Sequence, residues 1–280
     1  MKIPDPRTRP TLTDRDALLR QRDRARRRGM VDLFHQIAAD EIEDRLIEVN
    51  RSFTDIAIVT GFPEIWQARF PAARVVADDA LLDLQPGAHD LVIHAMALHW
   101  ADDPVGQIAQ CRRALRPDGL FMGVAFGNQT LQELRGALAQ AEAEVTGGLA
   151  PRILPMGEIR DLGGLLQRGG LALPVADLLS QRASYRDIAH LCRDLRGMGE
   201  GNAMEARLRR PTSRAVFARA GAIMAEHHAD RDDPSRVAVT FDLVFLTGWA
   251  PAENQQKPLR PGSARTSLAD ALNQFRKNDE

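Results

Sequence analysis

The segment from His89 to Phe126, HDLVIHAMALHWADDPVGQIAQCRRALRPDGLFMGVAF, limits most strongly what this chain can fold into. His89 and Asp90 open a short apolar run from Leu91 to Met96, which predicts a strand. Pro104 then starts a stretch with apolar residues at Val105, Ile108, Ala109, Cys111 and Leu115, the spacing of a helix. Arg116-Pro117-Asp118-Gly119 stops it, because proline cannot continue the hydrogen-bond ladder and Gly119 is expected to take the turn angles. The apolar run from Leu120 to Phe126 predicts a second strand. Strand, crossover helix and strand make a βαβ unit, whose strands should be parallel and buried.

The flanks extend this α/β pattern. Phe34, Ile37, Ala38, Ile42, Leu46 and Val49 form a helical stripe within Met30 to Val49, and Asp55 to Gly61 reads as a first strand ending in a turn. Ala73 to Ala77 and the β-branched, aromatic run Val237 to Thr247 predict further strands. Between Thr130 and His228 the periodicity is mainly helical, with a strand at Ala172 to Leu179 and helices at Tyr185 to Leu195 and Ala215 to Ala229. Such helices are expected to cap the C-terminal edge of the sheet, where open α/β sheets bind ligands. With 280 residues, 44% of them hydrophobic, one large core is expected. The division reads as a disordered lead-in at 1–12, one domain at 13–250 with a helical insertion at about 130–230, and a tail at 251–280.

Charge excludes little. Lys plus Arg number 37 against 38 for Asp plus Glu, which gives no whole-chain argument for a nucleic-acid partner. Arg20, Arg22, Arg24, Arg26, Arg27 and Arg28 crowd one segment, but Asp14, Asp16 and Asp23 dilute it and aromatic residues are missing, so it reads as a solvated helix face. No run has the length of a membrane span, and peripheral membrane contact stays compatible with the sequence. Cys111 and Cys192 lie in helical patterns without metal spacing and read as reduced thiols of a cytoplasmic protein. His94 and His99, or the adjacent His227 and His228, make no metal constellation.

The D-L-V strand, the A-L-H-W loop, the L-R-P-D-G-L helix end and the following strand resemble the fourth and fifth strands of class I S-adenosylmethionine-dependent methyltransferases. That resemblance implies a Rossmann-like, mostly parallel sheet with helices on both faces. Downstream, LRGALAQAEAEVTGGLAPRI, RDLGGLLQRGGLALP, CRDLRGMGEGNA and FLTGWAPAENQQKPLRPGSARTSLADAL are similar to the methyltransferase-like assembly factors of respiratory complex I. A more distant similarity is to the malonyl carrier-protein methyltransferase of biotin synthesis.

The resemblance implies S-adenosylmethionine as cofactor, yet the site departs from the family pattern. Asp55 and Gly61 read as the survivors of the D-x-G-x-G-x-G turn, with Ala57 and Val59 where glycines are expected and Pro63 beyond. The short path from Gly61 to Asp78 predicts that one βα unit is deleted, with Asp78 and Asp79 as the family's adenine-side acids. The alternative makes Arg74 to Asp78 the second strand and Asp78 the ribose acid. His94 and Met96 are expected on the cofactor side, and His99 and Trp100 either line a substrate mouth or lock their loop. Arg193, Arg196 and Gln255 to Ser267 are candidate docking positions for a protein client, a complex I subunit by resemblance. Two functions follow: a bacterial assembly or maturation factor on a degenerate cofactor site, a pseudoenzyme, or an active methyltransferase or arginine hydroxylase.

Overall fold

The computed structural model describes residues 11–253 and Gln255. Six strands form one sheet: β1 (Ile56–Thr60), β2 (Arg74–Val76), β3 (His89–Ala95), β4 (Leu115–Phe126), β5 (Ala172–Tyr185) and β6 (Val237–Trp249), in the order β2-β1-β3-β4-β6-β5. The first four in that order run parallel, whereas β6 is antiparallel to both β4 and β5. The helices are α1 (Arg15–Arg28), α2 (Leu33–Val49), α3 (Pro63–Arg69), α4 (Pro104–Ala114), α5 (Gln132–Thr146), α6 (Ile159–Arg168), α7 (Ile188–Gly197) and α8 (Arg214–His227).

Alternation along the strands divides the core in two. Ile58, Leu91, Ile93, Met122 and Phe245 pack toward α2, α5, α7 and α8. Ala57, Val59, Val92, Phe121 and Leu246 pack toward α4 and α6. The sheet is thus covered on both faces, as a parallel sheet requires. The insertion is less uniform than its sequence suggests. Helices α5, α7 and α8 gather on one face, α6 joins α4 on the other, and the 14-residue strand β5 lies between them in sequence.

Between Gly61 and Asp78 lie only α3 and β2, and β2 pairs directly with β1, with Val59 opposite Val76. Among the described residues no strand lies beyond β2, so the sheet is one βα unit short as expected, but the loss falls after β2 and not between Gly61 and Asp78. By position, β2 stands where a second strand would, so Asp78 ends the strand beside β1. That favours the alternative reading of Asp78 over the adenine-side one. Residues 77–88 then cross to β3 with no helix.

Local details also differ. Asp118, not Gly119, takes the left-handed conformation at φ 62°, and its carboxylate pairs with Arg51. Strand β5 continues to Tyr185, which pairs with Val237, and Asp187 then starts α7 by accepting a hydrogen bond from the His190 N–H at 2.7 Å. In the lead-in, residues 1–10 lie outside the described residues, while the Leu12 N–H is fixed to Asp102 at 2.8 Å.

Candidate functional site

The C-terminal ends of β1, β2 and β3 meet the N-terminal helix. The turn Thr60-Gly61-Phe62 follows β1, and Asp78 follows β2. Across both lies Arg22 of α1. Its guanidinium makes two hydrogen bonds to Asp78, at 2.8 and 2.9 Å, and Arg15 makes two more, at 3.0 and 2.8 Å. The side chains of Arg22 and Asp78 are 1% and 3% exposed, so the pair is cut off from water. A Cβ at Gly61 would run into the Arg22 guanidinium, which packs directly on this glycine. Gly199, at φ 78°, closes the other side against Phe62 and Arg22.

The arginine-rich helix is therefore no simple solvated face. Arg22 is buried, Arg15 is half-buried, and Arg26 pairs with Glu64 and donates to the Gly61 carbonyl. Burial alone would push the Asp78 carboxyl up, but Arg15 and Arg22 outweigh it and hold the group well below the usual carboxylate range. Asp79 is mostly exposed and reaches Arg15 at 3.0 Å. Nothing in the sequence spacing pointed to Arg22, since its partner is 56 residues away.

Asp55 must be removed from the site. It precedes β1, at the opposite end of the strand from Gly61, and pairs with Arg116 at 2.8 Å. A five-residue strand separates the two ends by roughly 16 Å. Ala57 and Val59 likewise belong to β1 and point into the α4-side core, so they do not crowd the turn. The crowding comes from α1 instead.

His94 lies near the C-terminal end of β3, and Met96 directly follows the strand. His94, fully buried in β3, has Nε2 2.7 Å from Gln107 Oε1, and Gln107 in turn donates to the Asp79 carbonyl at 3.1 Å. Its Nδ1 has no partner among the described residues, and burial pushes its pKa down. Met96 is buried at φ 51°, a conformation that costs a non-glycine residue about 1 kcal/mol or more and is held by its N–H bond to the Val124 carbonyl. His35, unnoticed in the sequence, accepts from the Trp66 indole at 3.1 Å, and burial lowers its pKa to about 4, so it is neutral at pH 7.

His99 and Trp100 sit on a single helical turn, Leu98–Trp100, and both reach one Glu200 oxygen, at 3.2 and 2.8 Å. They lock their loop onto the segment after α7. Burial would raise the Glu200 carboxyl, but His99, Arg22 and Trp100 bring it below its ordinary value. Trp100 and Glu200 also wall a cavity of about 210 Å³ beneath α5, α7 and α8. Phe126, Leu134, Leu138, Ile153, Leu195 and Phe241 are among its apolar lining, and Arg196 stands in it as well. Arg193 is exposed on the same helix outside it. The Gln255 side chain bonds to Asp118 and to the Ala250 carbonyl, away from both features, and the rest of the expected docking tail lies outside the described residues.

Cys111 is sealed in the core and burial raises its thiol, while Cys192 lines the cavity. Among the described residues no group of three potential metal ligands occurs, and no helix is long and apolar enough to cross a membrane.

Residues 33–123 match the methyltransferase domain family. The sheet order, parallel from β2 to β4 with β6 antiparallel beside them, is that of a Rossmann-like class I methyltransferase fold. In sequence the chain is similar to arginine-hydroxylase NDUFAF5, mitochondrial. It is 38% identical to that of Danio rerio over 203 residues, which covers 71% of this chain and 61% of the relative. The Homo sapiens protein is 35% identical over 207 residues, covering 73% and 58%. The malonyl-[acyl-carrier protein] O-methyltransferase of Laribacter hongkongensis is 34% identical over 195 residues, covering 70% and 62%. The matched part of the chain thus spans less than two thirds of each of these relatives. The expectation of a cytoplasmic protein is overturned here: the NDUFAF5 relatives from Danio rerio, Dictyostelium discoideum and Homo sapiens are mitochondrial.

Proposed function

We propose that this protein is an assembly or maturation factor acting on a protein client, with a respiratory complex I subunit as the candidate, and that its methyltransferase fold works without bound S-adenosylmethionine. The observation that carries the reading is the double engagement of Asp78. In an open parallel sheet the acid ending the strand next to β1 accepts hydrogen bonds from the ribose. Here Arg15 and Arg22 take both of its oxygens, and the Arg22 guanidinium fills the approach to Gly61. The residues present do not fit the cofactor in this arrangement.

A second reading is an arginine-modifying enzyme. The relatives are named arginine hydroxylases, and the buried carboxylate already holds guanidinium groups with bidentate geometry. Two measurements separate the readings. Calorimetry with S-adenosylmethionine and S-adenosylhomocysteine should show no binding to the wild-type chain; low-micromolar affinity lost in Asp78→Ala would establish the enzyme reading instead. Deleting the gene should lower NADH:ubiquinone activity. Normal complex I in the deletion strain removes the assembly assignment.

A further inference from the structure

The cavity under the cap has a lining and a rim of different character. Its walls are leucine, isoleucine, methionine and aromatic side chains. Most of its polar lining is already engaged within the protein. Thr130 bonds both the N–H and the carbonyl of Asp242. Asn202 bonds the Pro151 carbonyl and the Met204 N–H. Arg152 holds Glu142 and the Thr212 hydroxyl, and Glu200 is taken by His99 and Trp100. The interior therefore asks for apolar atoms. Leu131, in this wall, is held at φ 57°, a conformation leucine rarely adopts and one that persists where surrounding structure imposes it.

The rim is basic. Arg196 is exposed at the lining, Arg193 lies three residues before it on α7, and neither guanidinium makes a hydrogen bond or ion pair among the described residues. Arg210, also exposed and unpaired among them, acts electrostatically on Glu142, the partner of the cavity's Arg152. Arg196 in the lining and Arg210 near Glu142 have unpaired guanidinium groups among the described residues, whereas the carboxylates of Glu142 and Glu200 are already engaged. The mouth thus carries surplus positive charge around an apolar hole. A cavity of about 150 Å³ already accepts benzene, so one of about 210 Å³ takes a large aromatic side chain.

Resting on the assembly-factor reading, we infer that this cavity is the client-docking site, and that it receives one large apolar side chain from a segment flanked by acidic residues. The apolar anchor supplies affinity in the desolvated centre, and the guanidinium rim selects charge and speeds encounter.

The test uses the full chain and a fluorescein-tagged Asp-Asp-Phe-Asp-Asp peptide, followed by fluorescence anisotropy. Binding should weaken at least about tenfold when the phenylalanine is replaced by serine, when the aspartates are replaced by lysines, or when salt rises to about 0.5 M. Arg196→Gln combined with Arg210→Gln, both on the surface and harmless to folding, should weaken the acidic peptide about tenfold and leave a neutral Ser-Ser-Phe-Ser-Ser control unchanged. Leu138→Trp, which fills the cavity, should abolish both. Absence of binding, equal affinity for the lysine peptide, or displacement by sodium octanoate at lower concentration than by unlabelled peptide would overturn the inference. A deletion strain that loses complex I activity although the peptide does not bind would leave the assembly function standing and remove only this docking site.

Discussion

The strand ends beneath α1 and the space beneath α5, α7 and α8 are neighbouring regions linked through Trp100 and Glu200, yet they are built on opposite terms. Beneath α1 the protein's own charged side chains fill the volume and satisfy one another. Beneath the cap, apolar walls stop short of meeting, and the free charge lies outside. A fold of this class joins a cofactor place to a substrate place. Here intramolecular ion pairs of Arg15 and Arg22 with Asp78 occupy the strand ends, while open space remains beneath the cap. Closure of one does not entail closure of the other.

The contrast breaks most easily at Asp78. Asp78→Asn leaves the buried Arg22 charge unmatched and should lower unfolding free energy by about 3–5 kcal/mol in chemical denaturation. Arg22→Met should cost clearly less, since Asp78 keeps Arg15. A loss below about 1 kcal/mol for Asp78→Asn would mean that the pair is solvated and the place open to ligands.

Acid should then weaken the same region. The folded pKa of His35 is depressed to about 4 from an ordinary 6.5, so the unfolded chain binds more protons between these values. Its contribution is present above about pH 6.5 and is lost as pH falls toward 4, on the order of 3 kcal/mol in all. His35→Gln, which keeps an acceptor for Trp66, should flatten that part of the stability profile. An unchanged slope would place the acid sensitivity elsewhere.

Overpacking sharpens the comparison on the cap side. Leu91→Phe in the packed sheet core should cost about 1–3 kcal/mol, whereas Leu138→Phe, beside the cavity, should cost less than about 1 kcal/mol. Equal losses would show that the cavity walls cannot admit a larger group. The smallest effect is expected on the exposed side of α7, where Arg193→Gln and Arg196→Gln should leave the melting curve within about 0.5 kcal/mol of wild type, so that any change in peptide binding is attributable to the surface itself.

The sheet was readable because buried parallel strands announce themselves as continuous apolar runs between proline and glycine stops. His89 to Phe126 supplied the unit on which the rest is ordered, and the short path from Gly61 to Asp78 signalled a lost βα unit, although the loss falls after β2. The site was less legible. Asp55 matched an expected motif letter but faces the other end of β1, because a pattern of residue types does not fix which end of a strand a turn occupies. Arg22 stood within a run of arginines that composition assigns to solvent. Only the tertiary approach of α1 to Asp78 distinguishes it from Arg24 or Arg28. Glu200 had no local signal either, since its partners lie about a hundred residues earlier.

The placement of the two thiols makes the molecule its own reporter. Cys111 is enclosed in the α4-side core with its thiol well above the normal range, so alkylating reagents meet almost no thiolate there. Cys192 lies in the cavity lining, where burial raises its thiol less completely and Arg196 opposes the rise. A maleimide applied to the native protein therefore reads access to the cap alone, and the rate of that single labelling event can time the arrival and departure of whatever enters it.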